Sequence, residues 1–279
     1  MIFQWLRKEP ATHAAAAVRA ATFSADPFPH LFWENVLPAR LYQKLDQAWP
    51  AFETIADSPE ATIARVDFTD AGFDKDTKLS TEQIGTWLQF RGLIRSTVFP
   101  LALERFKPGL CHLGRELLNP DGEKRTAASP LESPRASDFE PDREFLVIRR
   151  DRSVLAPHVD PLRFHFTLLM YFAPDQSRRS LGTTLYRQSS PGRAWFPCEY
   201  EHPMRAQYAH QQNIQTESAV NVPFAPNAAL MFLNGPHSWH GQHLSETLDR
   251  KNFNANFKLR NELVPCAFRP QDAAAYEGT

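Results

Sequence analysis

Cysteine is scarce in this 279-residue chain, with only Cys111, Cys198 and Cys266, odd in number and far apart. That excludes a disulfide framework and a CxxC zinc knuckle, and it suits a reducing compartment, the cytoplasm. A surplus of charge is missing too, since 31 basic residues stand against 32 acidic ones. Nucleic-acid binders normally carry a basic excess, so nucleic acid is not an expected partner. No apolar run approaches the roughly 20 residues of a membrane span, so no membrane is expected either. The apolar start Met1-Ile2-Phe3 precedes Arg7, Lys8, Glu9 and Pro10, the reverse of the charge order of a secretory signal. Internal repeats are absent. A chain this long buries roughly 70–75% of its unfolded surface, so it needs no staple to fold.

Proline and phenylalanine are plentiful, at 23 and 21 residues, and the front and rear of the chain use them differently. The front reads as helical. Thr12 to Ala21 is alanine-rich. Pro38 opens a second helix through Gln47, with Leu41, Leu45 and Ala48 on one face and Pro50 as its stop. Residues 52–79 show no period and read as loop. Ser80 and Gln83 form a capping-box pattern. The helix it opens carries Ile84, Trp87, Leu88, Leu93 and Ile94 and runs towards Phe99, where Pro100 interrupts it. Residues 119–143 are dominated by proline, serine and charge and read as a surface loop.

From Glu144 onward, short strand-like runs alternate with turn residues. They are Phe145–Arg149, Val154–Val159, Phe164–Phe172, Thr183–Tyr186, Ala219–Val222, Ala229–Leu233, Ser238–His243 and Asn252–Phe257. Eight such runs fit a double-stranded barrel or a sandwich. The organisation expected is a helical region over 1–143 packed on a β-rich core over 144–279, in one integrated unit of mainly-β, α+β class.

Four segments carry chemistry. In Pro157-His158-Val159-Asp160, strand alternation puts His158 and Asp160 on one face, where an imidazole and a carboxylate can grip one metal ion. A third ligand from a neighbouring strand would complete a 2-His-1-carboxylate triad with positions left open. A lone H-x-D also arises by chance. Asn234-Gly235-Pro236-His237-Ser238-Trp239-His240-Gly241 follows an apolar strand, and His237, His240 and His243 compete there as ligands or as satisfied core histidines. In the run after it, Arg250, Asn252, Asn254 and Asn256 share one face, opposite Phe253, Ala255 and Phe257. That is an ordinary exposed strand or a barrel wall facing a polar ligand. Arg250 suits a carboxylate held by two parallel hydrogen bonds. In Phe164–Phe172, His165, Thr167, Leu169 and Tyr171 share a face, and Thr167 and Tyr171 are either hydroxyl donors to the same carboxylate or plain strand formers.

The order of these pieces resembles the Fe(II)/2-oxoglutarate-dependent dioxygenases, in their prolyl-hydroxylase-like branch. An H-x-D comes first, then the strand bearing Thr167 and Tyr171, then Leu181–Arg187 (LGTTLYR), a long insertion, the segment SWHG, and an arginine after it. The resemblance covers residues 144–260, with a weaker match over Pro27–Pro50. It implies a double-stranded β-helix of the jelly-roll or cupin kind. It implies Fe(II) on His158, Asp160 and His240, because Arg250 lies ten residues after His240 but thirteen after His237 and seven after His243. It implies 2-oxoglutarate with its far carboxylate on Arg250, Tyr171 as second contact and Thr167 beside them, and O₂ as co-substrate. Two positions depart from the family pattern. Ile148 and Arg149 stand where many relatives have a cosubstrate-side tyrosine, and Leu181-Gly182-Thr183-Thr184-Leu185 replaces a Gly-Gly-x-Leu strand start.

The activity implied is hydroxylation of an unactivated C–H of a small molecule or peptide side chain, with release of succinate and CO₂. Asp160 favours hydroxylation over halogenation, since family halogenases put a small residue there. Two other readings keep the histidines: a cupin-like metal enzyme that uses no 2-oxoglutarate, and a non-catalytic metal-binding barrel. The insertion Gln188–Val222 reads as a lid beside the barrel mouth or a plain surface excursion.

Overall fold

A computed structural model describes residues 2–68, 79–116, 134–150, 154–161, 164–189, 207–209, 214–235, 237–243 and 249–260. The front of the chain holds α1 (Ile2–Arg19), β1 (Thr22–Ser24), β2 (His30–Glu34), α2 (Ala39–Gln47), α3 (Phe52–Ile55), β3 (Ile63–Asp67), α4 (Thr81–Leu93) and α5 (Phe99–Glu116). The rear holds β4 (Phe139–Arg149), β5 (Val154–Val159), β6 (Phe166–Phe172), β7 (Thr183–Gln188), β8 (Gln207–Tyr208), β9 (Thr216–Val222), β10 (Ala228–Leu233), β11 (His240–His243) and β12 (Arg250–Leu259).

The strands form two antiparallel sheets. The larger runs β1-β2-β10-β6-β12-β4-β3 and the smaller β8-β5-β11-β7-β9. Within them, β4, β12, β6 and β10 face β5, β11, β7 and β9, and the chain passes between the two sets as it advances. That alternation is a double-stranded β-helix, and its eight strands are the eight runs expected from the sequence. The four short strands β1, β2, β3 and β8 add to its edges.

The outer faces of β6 and β12 in the large sheet are apolar and covered by helices. Phe166, Leu168, Met170 and Phe172 of β6 and Phe253, Ala255 and Phe257 of β12 are buried there. Trp87 and Phe90 of α4 meet Phe172 and Phe253 edge-on, at 5.7 and 4.9 Å between ring centroids. Phe99 stacks on Phe257 at 3.8 Å. Beneath this layer Glu144 is buried and paired with Arg95 and Arg91, which ties the helices to β4.

Three expectations change. The segment 52–79, read as loop, contains α3 and the edge strand β3; strands this short leave too little alternation to show in sequence. The loop expected over 119–143 lies outside the described residues up to 133, and from Phe139 the chain is already strand, because it pairs with the end of β12, Leu259 opposite Phe139. Pro100 does not interrupt the helical path. The register relaxes first, in a π turn over Ile94–Val98, and Pro100 then falls in the first turn of α5, where no backbone N–H is required. The capping box at Ser80 forms as expected, with Gln83 N–H donating to Ser80 Oγ and Ser80 N–H to Gln83 Oε1.

Candidate metal and carboxylate site

The inner faces of the two sheets enclose a cavity of about 440 Å³. Strand alternation decides what lines it. From β12 come Arg250, Asn252, Asn254 and Asn256, and from β6 come Thr167 and Leu169. From β4 come Arg143, Phe145, Val147 and Arg149. The small sheet contributes His158, Asp160 and His240.

His158 and His240 are brought together by register, because they are directly opposed residues of the antiparallel pair β5–β11. Their ring centroids lie 4.3 Å apart. Asp160 follows β5 directly, two residues on and therefore on the same face. Outward, Val159 and Trp239 share a small apolar cluster with Ala209, which fixes the histidine-bearing faces inward. Close approach of the strands depends on Gly241: a Cβ there would lie 2.5 Å from the Leu155 carbonyl oxygen.

Each histidine donates from Nδ1 to a carbonyl two residues earlier, His158 to Ala156 at 3.0 Å and His240 to Ser238 at 2.9 Å. A carbonyl can only accept, so the neutral ring turns the lone pair of Nε2 inward. Burial, reinforced by the neighbouring His240, pushes the His158 pKa down from 6.5 to about 4, which keeps that ring neutral at pH 7. Asp160 Oδ1 lies 3.9 Å from His158 Nε2 and 3.8 Å from His240 Nε2. Two atoms bound to one ion at roughly 2.1 Å can be at most about 4.2 Å apart, so these separations suit ligands of a common ion. Three electron-pair donors converging without a proton between them is a poor arrangement unless a cation joins them.

The carboxylate is itself held. Thr167 Oγ1 donates to Asp160 Oδ2 at 2.6 Å, and Asn256 Nδ2 donates to Thr167 Oγ1 at 3.0 Å. Asn234, fully buried, donates to the carbonyls of Asp160, Pro161 and Phe164 and accepts from Ser238 Oγ at 2.9 Å. It knots the segment carrying Asp160 to the turn that delivers His240.

Across the cavity, Arg250 is 3% exposed. Its donors reach Leu181 O at 3.2 Å, Asn252 Oδ1 at 3.0 Å and Thr183 Oγ1 at 3.3 Å. Its guanidinium lies against the rings of Phe224 and Tyr171, at 5.0 and 5.2 Å. Among the described residues no carboxylate pairs with it. Burial drags its pKa well below the ordinary guanidinium range, to about 10, so it is still a cation at neutral pH. Tyr171 donates its hydroxyl to Thr183 Oγ1 at 2.7 Å. Gly182 lets this corner close: a Cβ there would meet the Val222 carbonyl oxygen at 1.6 Å.

His158, Asp160 and His240 therefore meet at one point and Arg250 faces the same cavity, with Tyr171 packed against it. Thr167 is bonded to Asp160, the ligand side, rather than standing beside Arg250. His237 is turned to Gln188 Oε1 at 3.3 Å, away from the cluster, and the side chain of His243 lies outside the described residues. Of the insertion 188–222, residues 190–206 and 210–213 lie outside the described residues. Sequence reading places Asn256 on the inward face but not its bond to Thr167, and it gives no role to Asn234 or Thr183. The last lay in view, since Leu181–Arg187 was singled out and Thr183 shares the inward face of β7 with Leu185.

No family model matches the sequence, and no curated protein matches it. Solved structures do resemble it. HygX from Streptomyces hygroscopicus, with nickel, 2-oxoglutarate and hygromycin B bound, is 12% identical over 83% of each chain, with a TM-score of 0.46. A Pseudomonas putida prolyl-4-hydroxylase is 12% identical over 89% of this chain and 100% of its own, at 0.40. An oxidoreductase of the 2OG-Fe(II) oxygenase family from Burkholderia pseudomallei is 9% identical over 94% and 96%, at 0.42.

Proposed function

We propose that the protein is an Fe(II)- and 2-oxoglutarate-dependent oxygenase of the hydroxylase type, acting on a small molecule or a peptide side chain in the cytoplasm. The single observation that supports this best is the joint presence, in one cavity, of a His-Asp-His cluster and a buried arginine with no carboxylate partner among the described residues. A metal site alone would suit any metal-binding barrel. The second feature favours 2-oxoglutarate, because a diacid can reach the metal with one end and satisfy a buried cation with the other.

The residues fit both groups. His158, Asp160 and His240 would hold the iron, a donor set of two neutral imidazoles and one carboxylate that suits Fe(II) with positions left open. Bound iron with 2-oxoglutarate supplies the oxidising power to cleave a C–H bond using O₂, with succinate and CO₂ as co-products. The chain's own part is positional. Ala156 O and Ser238 O fix the imidazole tautomers, Thr167 and Asn256 turn one oxygen of Asp160 towards the metal, and Arg250 with Thr183 presents donors to the far carboxylate. Phe224 and Tyr171 keep water from that end.

Anaerobic addition of Fe(II) and 2-oxoglutarate should give a visible charge-transfer band, and admission of air should release succinate. A protein that gives neither band nor succinate is not this enzyme. Arg250→Ala should keep metal binding but raise the 2-oxoglutarate requirement by roughly tenfold or more, since a charge-assisted hydrogen bond contributes about 1.5–3 kcal/mol. An unchanged requirement would favour a barrel that does not use the diacid.

A further inference from the structure

We propose that the substrate of this site is an organic oxyanion, carrying a carboxylate or a phosphate, and that Arg65 and Arg143 receive it. The inference rests on the reading above in one respect, that Arg250 is committed to the cosubstrate.

The cavity is rich in one sign of charge. Arg65, Arg143, Arg149 and Arg250 line it, and among the described residues Asp160 is the sole carboxylate that does. Once the centre is loaded, the dication, Asp160, the two carboxylates of 2-oxoglutarate and Arg250 cancel one another. The positive charge left over lies along the β3–β4 side of the cavity.

There Arg65 and Arg143 are arranged as a pair. Both converge on Asp67, Arg65 through Nε and Nη2, the closest contact being 2.7 Å, and Arg143 through Nε at 3.2 Å and Nη2 at 3.1 Å. Both guanidiniums also lie over the Phe145 ring, at 4.0 and 5.5 Å from its centroid. Stacking and the shared carboxylate hold two long side chains in place before any ligand arrives, which lowers the ordering cost of binding. Among the described residues two cations meet at this one carboxylate, and neither Nη1 donates to a described protein group. Two planar guanidiniums with free N–H groups match the oxygens of a carboxylate or phosphate. Between this pair and the His-Asp-His cluster the register sets Asn254 and Asn256 of β12, with Phe145, Val147 and Leu169 beside them, so the wall offers both amides and apolar surface to the body of the same molecule.

The test is calorimetric titration of the full-length protein loaded with Mn(II) and saturating 2-oxoglutarate. The probes are benzoate, phenyl phosphate and, as neutral control, benzyl alcohol. We expect at least one anion to bind tenfold or more tightly than the alcohol. Preference for benzoate identifies a carboxylate substrate, and preference for phenyl phosphate a phosphorylated one. In the double variant Arg65→Gln, Arg143→Gln the preference should vanish, with the 2-oxoglutarate affinity changed less than twofold. Arg143→Gln alone, at the more exposed of the two positions, should lower it severalfold and covers the case in which the double variant fails to fold. Anions that bind no better than the alcohol, or a preference that survives the substitutions, overturn the proposal. The same titrations separate it from the functional reading. If 2-oxoglutarate fails to bind the Mn(II) protein while the arginine-dependent preference persists, the cosubstrate assignment falls and the anion site stands. If 2-oxoglutarate binds and the preference is absent, only the anion site falls.

Discussion

Arg250 is a cation held in the interior without a counter-ion among the described residues, and that has a cost. A guanidinium whose pKa burial pulls down to about 10 is destabilised on folding, on the order of a few kcal/mol at roughly 1.4 kcal/mol per unit. Because the folded-state value is the lower one, the charged form is the disfavoured form. The penalty is fully present at every pH below about 10 and fades only as the pH rises beyond that towards the ordinary guanidinium value. Replacing Arg250 with methionine, an apolar chain of related length, should therefore raise the melting temperature of the ligand-free protein at pH 7 while removing 2-oxoglutarate binding. Buried ion groups replaced by apolar ones gain about 1–4 kcal/mol, and a chain of this size gains about 2–4 °C per kcal/mol. A lower melting temperature in Arg250→Met would show that the hydrogen bonds to Leu181, Asn252 and Thr183 outweigh the buried charge. At this scale the sequence was legible where geometry is local. An H-x-D on a strand puts two ligands on one face, and the run from Arg250 to Asn256 points four polar groups one way. The partner of Thr167 was not legible, because the bond to Asp160 crosses between sheets and depends on where β5 ends.

Elements were legible to the extent that they alternate. Seven of the eight strands of the double-stranded β-helix have six or more residues, enough for a period of two or an apolar run to emerge, and β11, with four, is marked by its SWHG segment instead; β1, β2, β3 and β8 are peripheral pieces whose strand character comes from the neighbour they pair with. The choice among three histidines belongs to this scale too. Nothing local distinguishes His237 from His240; the β5–β11 register does, by setting His240 opposite His158. That register tolerates no side chain at position 241. Gly241→Ala places a methyl carbon 2.5 Å from the Leu155 carbonyl oxygen, so β11 must move from β5 and carry His240 with it. The expected result is a metal affinity lower by about tenfold or more, with the far-ultraviolet circular dichroism of the folded protein retained. Gly85→Ala is the matched control. It lies inside α4 with nothing within 4 Å of the added carbon, and should stabilise by about 0.5–1 kcal/mol with metal affinity unchanged. If both substitutions leave metal binding intact, the register is not what assembles the cluster.

At the scale of the molecule, the site exists only when the two sheets close on each other. His158 and His240 come from the small sheet and Arg250 from the large one, so the metal and diacid proposed above would bind the closed barrel and not the unfolded chain. Ligand binding must then appear as global stability. A ligand present at about 100 times its dissociation constant adds about 2.7 kcal/mol, or roughly 5–10 °C for a chain of this size. Mn(II), which does not turn over, should supply one increment, and 2-oxoglutarate a second that requires the first. The variants separate the contributions: Asp160→Ala should abolish both increments, since it removes the charge that holds the ion, whereas Arg250→Met should keep the metal increment and lose the other. If 2-oxoglutarate stabilised the metal-free protein as strongly as the Mn(II) form, the diacid would not be bridging the two sheets through the ion. The cavity would then be an arginine-lined carboxylate pocket that merely lies beside a metal site.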